Sequence, residues 1–341
     1  RLALRLLAVG VGLLAVALAA AWLNRKALVR EALTGWLRGR GIASETEVKA
    51  FGPTHFRARL RIGPADNPDF TAEDAEVGYR LTVHGIEVMS VRLQRPVLRA
   101  AFHDGRFSVG SLDPVVREFL SRPPRPNAPK PRITVDNGRL FLASDYGRLT
   151  LTADAIVSEG RLQRLAAVSA PARLRGPDFA ADLGQASVNL VTRGNRVDVR
   201  LDAPLASAKA RDAEIRQGEL HLALQAPYPD LGKGRLDGQV TANARVSALA
   251  AEINDRRLER AGLTASLKGA AKGGVADLSF AGGASGELIA GAAAGFGGRT
   301  GSLKVSVSAE DARWSRAGGE RASGKLALTA RGEAVAAGDL R

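Results

Sequence analysis

The feature that most constrains the fold is a strict alternation of apolar and polar residues, seen most clearly at positions 55–62. There Phe56, Ala58, Leu60 and Ile62 alternate with one histidine and three arginines. Successive side chains of a β-strand point to opposite faces. A period of two therefore predicts a strand with one apolar and one cationic face.

The same alternation returns at intervals to the end of the sequence, with turn signals such as Asp136-Asn137-Gly138 between the segments. Connections this short leave no room for crossover helices, which argues against parallel βαβ folds and predicts an antiparallel sheet. The apolar positions of the alternating segments are the candidate residues of one apolar surface. They are Phe56, Leu60, Ile62, Val77, Tyr79, Leu81, Val83, Leu140, Leu142, Leu149, Leu151, Val197, Val199, Leu201, Leu220, Leu222 and Leu224.

Two architectures could cover such half-apolar strands. A β-sandwich closes a second sheet over the apolar face, but sandwich cores rely on large aromatic residues, and only 5% of this chain is aromatic. The alternative is one long curved antiparallel sheet, a β-groove, whose apolar face is covered by something other than protein. Each lipid CH₂ group in water costs about 0.8 kcal/mol, so such a surface would shield acyl chains, and we expect it to bind lipid.

The N-terminus has a different pattern, an uninterrupted apolar run at residues 6–23. As a helix this run would span roughly 27 Å, about the thickness of a bilayer core, and basic residues flank it on both sides. A cleaved signal peptide is the alternative, but the run is long for one. We expect a single-pass membrane anchor over residues 1–26. Its apolar residues include Leu6, Leu7, Leu13, Leu14, Leu18, Trp22 and Leu23.

Four further segments complete the predicted organisation. Residues 27–41 have the spacing of an amphipathic helix that ends at glycines, and residues 42–121 form the first part of the β-groove. Residues 122–132 are a proline-rich connector, and residues 133–341 continue the groove.

Two helical interruptions are expected within the sheet. Asp113 as the N-cap and Pro114 at the first helical position predict a short helix before the proline-rich connector. Residues 247–261 are a second candidate helix. The glycine- and alanine-rich residues 282–298 predict either a loose loop or strands with very small side chains.

Composition and motifs argue against most other function classes. The chain has no cysteine, which excludes disulfides, iron–sulfur clusters and thiol nucleophiles. Its four histidines are far apart and no nucleotide-binding, metalloprotease or hydrolase motif occurs, so we expect no enzyme, metal or cofactor. The net charge of +14 comes from scattered basic residues without a nucleic-acid-binding motif, so we expect no nucleic-acid partner.

Several local sequences resemble the AsmA-like superfamily, and within it the YdbH family most closely. They are RGRGI at 38–42, LRIGP at 60–64, NPDF at 67–70, AEDA at 72–75, VRLQRP at 91–96, HDGRFSVGSLDP at 103–114 and NGRL at 137–140. The resemblance implies an inner-membrane anchor, a periplasmic β-groove and phospholipid transport between the inner and outer membranes of a Gram-negative bacterium. The implied partners are phospholipids, the inner membrane, and an outer-membrane lipoprotein or assembly factor. Family members are longer than this chain, so we expect an N-terminal fragment, truncated at its C-terminus.

Two other functions stay open from the sequence. A protein similar to the TamB branch of the same superfamily would help to assemble outer-membrane or secreted proteins through strand addition at an open sheet edge. A β-sandwich binding module would instead close its apolar faces on each other and hold no lipid.

Overall fold

The computed structural model describes residues 31, 34–35, 37–82, 85–104, 106–121, 130–230, 234–253, 256–274, 277–294, 298–316, 321–333 and 336–337. The chain is mainly β, as predicted, and the described strands belong to one mixed sheet. They are β1 (Ser44–Phe51), β2 (His55–Ile62), β3 (Phe70–Thr82), β4 (Gly85–Gln94), β5 (Val97–His103), β6 (Arg106–Ser108), β7 (Arg132–Ser144), β8 (Gly147–Ser158), β9 (Arg161–Ser169), β10 (Ala172–Arg175), β11 (Phe179–Leu183), β12 (Ser187–Arg193), β13 (Arg196–Ala210), β14 (Ala213–Pro227), β15 (Gly238–Ile253), β16 (Arg256–Lys272), β17 (Ser279–Ala290), β18 (Ala292–Ala294), β19 (Gly298–Thr300), β20 (Ser302–Ser315), β21 (Arg321–Glu333) and β22 (Ala336–Ala337).

The chain divides into two compact units. Unit 1 comprises Arg1–Ala100, Ser108–Gly138 and Ser158–Gly160. Unit 2 comprises Ala101–Phe107, Arg139–Val157 and Arg161–Arg341.

In unit 1, β1, β2, β3 and β4 pair in sequence order and antiparallel. The next pairing is parallel, because Ser90–Gln94 of β4 lies beside Arg132–Asp136 of β7 in the same direction. The prediction of a wholly antiparallel sheet is therefore wrong at this pair. A parallel pair needs a connection that returns the chain to the end of the sheet at which the first strand begins. The segment between β4 and β7 is long enough to make this return.

Unit 1 also contains the helices of the described chain. The predicted amphipathic helix is described at residues 31, 34, 35, 37 and 38, where it is helical. It ends in a Schellman motif, in which the Ile42 N–H donates to the Leu37 carbonyl and the Gly41 N–H donates to the Arg38 carbonyl. Gly41 has φ of 73°, a conformation that favours glycine at this position. The glycine end signal in the sequence is thus confirmed.

The helix predicted at Asp113 is also present, as α1 (Asp113–Ser121) after a 3₁₀ turn at Gly110–Leu112. Asp113 is not its N-cap, since its own backbone is helical. Its carboxylate instead accepts bonds from the Val109 N–H and the Ser108 hydroxyl, both at 2.6 Å. The side chain therefore fixes the preceding turn rather than the first turn of α1.

The main part of unit 2 is an antiparallel series in the order β9, β12, β13, β14, β15, β16, β17, β20 and β21. The glycine- and alanine-rich segment forms β17 and β18, which confirms the second of its two predicted alternatives. Gly269 and Gly282 lie opposite each other there, and a Cβ on either would come within 2.3 Å of a backbone carbonyl oxygen. Small residues therefore allow close strand packing at this point.

A line of backbone irregularities crosses unit 2 on four neighbouring strands. It consists of Ala206 on β13, Gln217 on β14, Leu249 on β15 and Arg260 on β16, which skip the regular pairing while the register on either side is unchanged. Gln217 and Arg260 have φ of 49° and 51°, which is uncommon for residues other than glycine. We call this line the crease.

The crease changes which alternate residues of each strand face the apolar side. On β15 that side carries Val246 and Ala248 before the crease and Ala251 after it, and Ala251 packs in a cluster with Leu258. The prediction of a helix at residues 247–261 is therefore wrong. The extra residue on each strand breaks the period of two in the sequence, although the backbone stays in β15 and β16.

Candidate functional site

The candidate site is the apolar side of unit 2, where cross-strand partners stack into continuous lines. Directly paired residues of antiparallel strands lie on the same face of the sheet, so the register defines these lines. We call them the apolar rows. The first row is Leu165, Leu190, Val199, Leu224, Ala242, Leu267, Ala284, Ala309 and Leu326; the second is Ala167, Val188, Leu201, Leu222, Ala244, Ala265, Gly286, Val307 and Leu328; the third is Ala203, Leu220, Val246, Leu263, Leu288, Val305 and Ala330.

The apolar rows are largely open to solvent. Most of their leucines and valines are half-buried, and Leu263 on the interior strand β16 is 45% exposed. Unit 2 contains no helix, in the part of it that the structure describes, to cover this surface. A continuous exposed apolar surface of this kind marks an interaction site.

The middle of the second row consists of small residues. Ala244, Ala265 and Gly286 follow one another on β15, β16 and β17, with larger residues of the third row, such as Leu263 and Leu288, directly alongside. These small side chains lower the surface along this part of the second row.

The opposite side of the same strands is polar. Two cross-strand lines define it, and we call them the polar rows. One is Asp202, His221, Arg245, Thr264, Glu287, Ser306 and Thr329; the other is Arg200, Ala223, Asn243, Ser266, Ser285, Ser308 and Ala327. Unit 2 therefore has one apolar and one hydrophilic side, as the alternation predicts.

His221, on the polar rows, has two carboxylate partners. Its Nδ1 lies 2.6 Å from Asp202 Oδ1 and its Nε2 lies 3.3 Å from Glu219 Oε1. The hydrogen bond with Asp202 raises the pKa of His221 above its ordinary value. No group of three or more histidine and carboxylate side chains that could hold a metal ion occurs in the described residues.

Unit 1 also has transverse apolar lines. Phe51, Phe56, Val77, Val91 and Ile133 are cross-strand partners in succession. Val48, Ala58, Ala75, Leu93 and Val135 form a second line. The predicted residues Phe56 and Val77 thus lie together on one side of the sheet.

Parts of this apolar side of unit 1 are closed by protein. Ile62 is only 7% exposed because it packs with Leu37 and Ile42 at the end of the N-terminal helix. Tyr79 is equally buried and lies close to the rings of Phe51 and Phe56. Its hydroxyl donates to the Gly52 carbonyl at 2.6 Å, and burial raises the pKa of Tyr79.

The arginine side of β2 is balanced by carboxylates on neighbouring strands. Arg57 pairs with Asp74, and this partner raises the pKa of the Arg57 guanidinium. Arg59 lies 3.4 Å from Glu47, and Arg61 lies 3.7 Å from Glu45. The cationic face expected from the sequence is therefore a ladder of exposed ion pairs.

The other predicted surface residues are distributed as follows. Leu60 is half-buried opposite Ala72, and Leu81 lies on β3 with its backbone opposite Ile86. Half-buried residues on β7 and β8, on either side of the turn at 145–146, are Leu140, Leu142, Leu149 and Leu151. Val83, the predicted anchor and its residues Leu6 to Leu23 lie outside the described residues. Within the described chain, no helix has the length and apolar character needed to cross a bilayer.

The sequence-based prediction missed several members of the apolar rows. Leu263 and Leu267 alternate with threonine, serine and lysine, so the period of two was available there. The crease next to them disrupts the pattern and favours a helical interpretation of the segment. Leu165 and Leu190 lie in shorter strands, where only two or three alternations are visible.

A model of a protein family matches most of the chain. The model described as YdbH-like, intermembrane phospholipid transport protein YdbH, matches residues 13–340. Comparisons with curated proteins and with solved structures give no match.

Proposed function

Since the chain belongs to the YdbH-like family of intermembrane phospholipid transport proteins, we propose that it is a conduit on which phospholipid acyl chains lie along the apolar rows of unit 2. The headgroups stay in solvent. The family is one of transport proteins. The expectation that the chain is not an enzyme stays a prediction.

The observation that carries the proposal is the continuity of the apolar rows across β9, β12 to β17, β20 and β21. With neighbouring strands about 4.8 Å apart, the first two rows extend for roughly 40 Å. One acyl chain spans about half of a 30 Å bilayer core, or roughly 15 Å. The rows are therefore long enough for a lipid to move along them while its chains stay on apolar side chains.

The apolar rows favour passage over tight capture. Each exposed CH₂ group costs about 0.8 kcal/mol in water, so contact with leucine and valine side chains is favourable at every step. The side chains of the rows carry no charged group, and no position along them differs greatly in polarity. A lipid can thus shift from one strand to the next without a large barrier.

We further propose that residues 1–26 anchor the chain in the inner membrane, with the bulk in the periplasm of a Gram-negative bacterium. The support is the apolar run with Leu6, Leu7, Leu13, Leu14, Leu18, Trp22 and Leu23, and the family's role in the cell envelope. An anchor would hold the chain at one of the two membranes between which lipid moves. A docking lipoprotein or assembly factor at the outer membrane belongs to the same proposal.

Photo-crosslinking tests the conduit with a closely matched control. A photoreactive amino acid is placed at Leu224, on the apolar rows, or at Gln225, the next residue, on the polar side of β14. We expect phospholipid adducts in cells from position 224 and few from position 225. Equal labelling at both positions would contradict the proposal, because the two side chains leave opposite faces of β14.

A second candidate is an assembly factor similar to the TamB branch, which would bind a client protein by strand addition at an open sheet edge. A photoreactive residue at Leu328 separates the two functions: lipid adducts favour the conduit, and adducts with outer-membrane proteins favour the assembly role.

A further inference from the structure

Two open cavities lie over the polar rows of unit 2. The larger, of about 560 Å³, is lined on this side by Arg200, Asp202, His221, Asn243, Arg245 and Thr264. The smaller, of about 380 Å³, is lined mainly by the hydroxyl side chains of Thr264, Ser266, Ser285, Ser306, Ser308 and Thr329. The two cavities share Thr264 and Ser266. We call the larger one the arginine cavity.

The register explains why a cavity forms here. Ala223 is flanked across the strands by Arg200 on β13 and Asn243 on β15, and along β14 by His221. A methyl side chain surrounded by longer ones leaves a depression over the sheet. Arg245 lies two residues beyond Asn243, and both arginines line the same depression.

Around the arginine cavity the carboxylates have a partner, whereas the two arginines have none among the described residues. The carboxylates of Asp202 and Glu219 both contact His221, one at each ring nitrogen. Neither Arg200 nor Arg245 has an ion-pair partner among the described residues. Two guanidinium groups are thus left to bind an anion from solvent.

From this arrangement we propose that the arginine cavity binds a phosphate group. Guanidinium groups match phosphate oxygens with paired N–H donors, which a single ammonium does not do. The volume of the cavity is within the usual range for small-molecule sites and exceeds what one phosphate ion fills. The adjoining hydroxyl-lined cavity would receive the hydroxyl groups of a phosphate ester.

This site goes beyond the proposed conduit, because it lies on the opposite side of the sheet from the apolar rows. A lipid whose acyl chains lie on the rows cannot place its headgroup there through the sheet. The two sources of such a phosphate are free inorganic phosphate and a glycerophosphate headgroup that approaches from the polar side. The hydroxyl-lined neighbour favours the ester, and we expect it to bind more tightly.

Titration calorimetry on the purified full chain tests the site with two probes, inorganic phosphate and glycerophosphoglycerol. Arg200→Gln and Arg245→Gln should each weaken binding by about tenfold, because each removes charge-assisted hydrogen bonds to the phosphate. Arg196→Gln is the matched control: it lies on β13, on the same side as Arg200, but it does not line the cavity. Circular dichroism verifies that each variant is folded.

The outcomes separate cleanly. If binding needs the two cavity arginines, binding of either probe supports the site. The probe that binds more tightly identifies the source of the phosphate group. An equal loss in Arg196→Gln would overturn the proposal, because it would mean that net charge alone attracts the anion. Absence of binding to both probes would overturn it as well, and would leave the lipid conduit untouched.

Discussion

Unit 1 and unit 2 are built from the same alternating pattern, but they cover their apolar residues differently. In unit 1, Ile62 packs under Leu37 and Ile42, and Tyr79 is buried beside two phenylalanines. In unit 2 most leucines and valines of the apolar rows are half-exposed. The difference teaches that alternation sets which side of a sheet is apolar, whereas helices and loops decide whether that side becomes a core or a binding surface.

The largest expected effect comes from truncating one apolar residue in each unit. Ile62→Ala removes a buried side chain and should cost about 2–4 kcal/mol of unfolding free energy. Leu222→Ala removes a half-exposed one and should cost about 1 kcal/mol, since less apolar area returns to water. Native-state hydrogen exchange, resolved for strands β2 and β14, measures both. Equal costs would mean that the apolar rows are packed as tightly as the core of unit 1.

At the crease we expect a smaller change in the free energy of unfolding. Glycine substitutions at two positions of β14 should change it in opposite directions. Gln217→Gly should stabilise unit 2 by about 0.5–1 kcal/mol, because glycine adopts a positive φ without strain. Gln225→Gly, in a regular part of the same strand, should destabilise it by about the same amount. Thermal unfolding of the two variants makes the comparison. A destabilising Gln217→Gly would show that the Gln217 backbone is not strained.

The smallest expected effect is a pH dependence of folding stability, which comes from His221 on the polar side of unit 2. Asp202 raises the pKa of His221, so the charged histidine stabilises the folded state fully below its ordinary pKa of 6.5. This contribution is lost as pH rises through the raised pKa. The groups around the ring are Asp202, Glu219 and Arg245. NMR titration should give a His221 pKa that falls towards 6.5 in Asp202→Asn, and an unchanged pKa would contradict the assigned cause.

The sequence predicted the local structure better than the topology. The alternation at 55–62 and 197–201 correctly indicated strands, and the glycines at 39 and 41 correctly indicated the end of a helix. The parallel pairing of β4 with β7 could not be derived, because it depends on where a long connection returns.

The candidate site was predictable where the alternation is regular and not elsewhere. The members of the rows on β13 and β14, from Val199 to Leu224, follow directly from the period of two. The crease hides the pattern on β15 and β16, since an extra residue looks like ordinary sequence. The continuity of the rows depends on register, which is a property of pairs of strands and not of any one of them.

The most direct test of the central claim is the amount of phospholipid that co-purifies with the full chain, measured by lipid extraction and mass spectrometry. Leu267→Asp places a charge on the apolar rows, and Lys268→Asp places one on the opposite side of the same strand. The account predicts bound phospholipid in the wild type and in Lys268→Asp, and a loss of most of it in Leu267→Asp. A wild type without lipid, or equal retention in a folded Leu267→Asp, would contradict it.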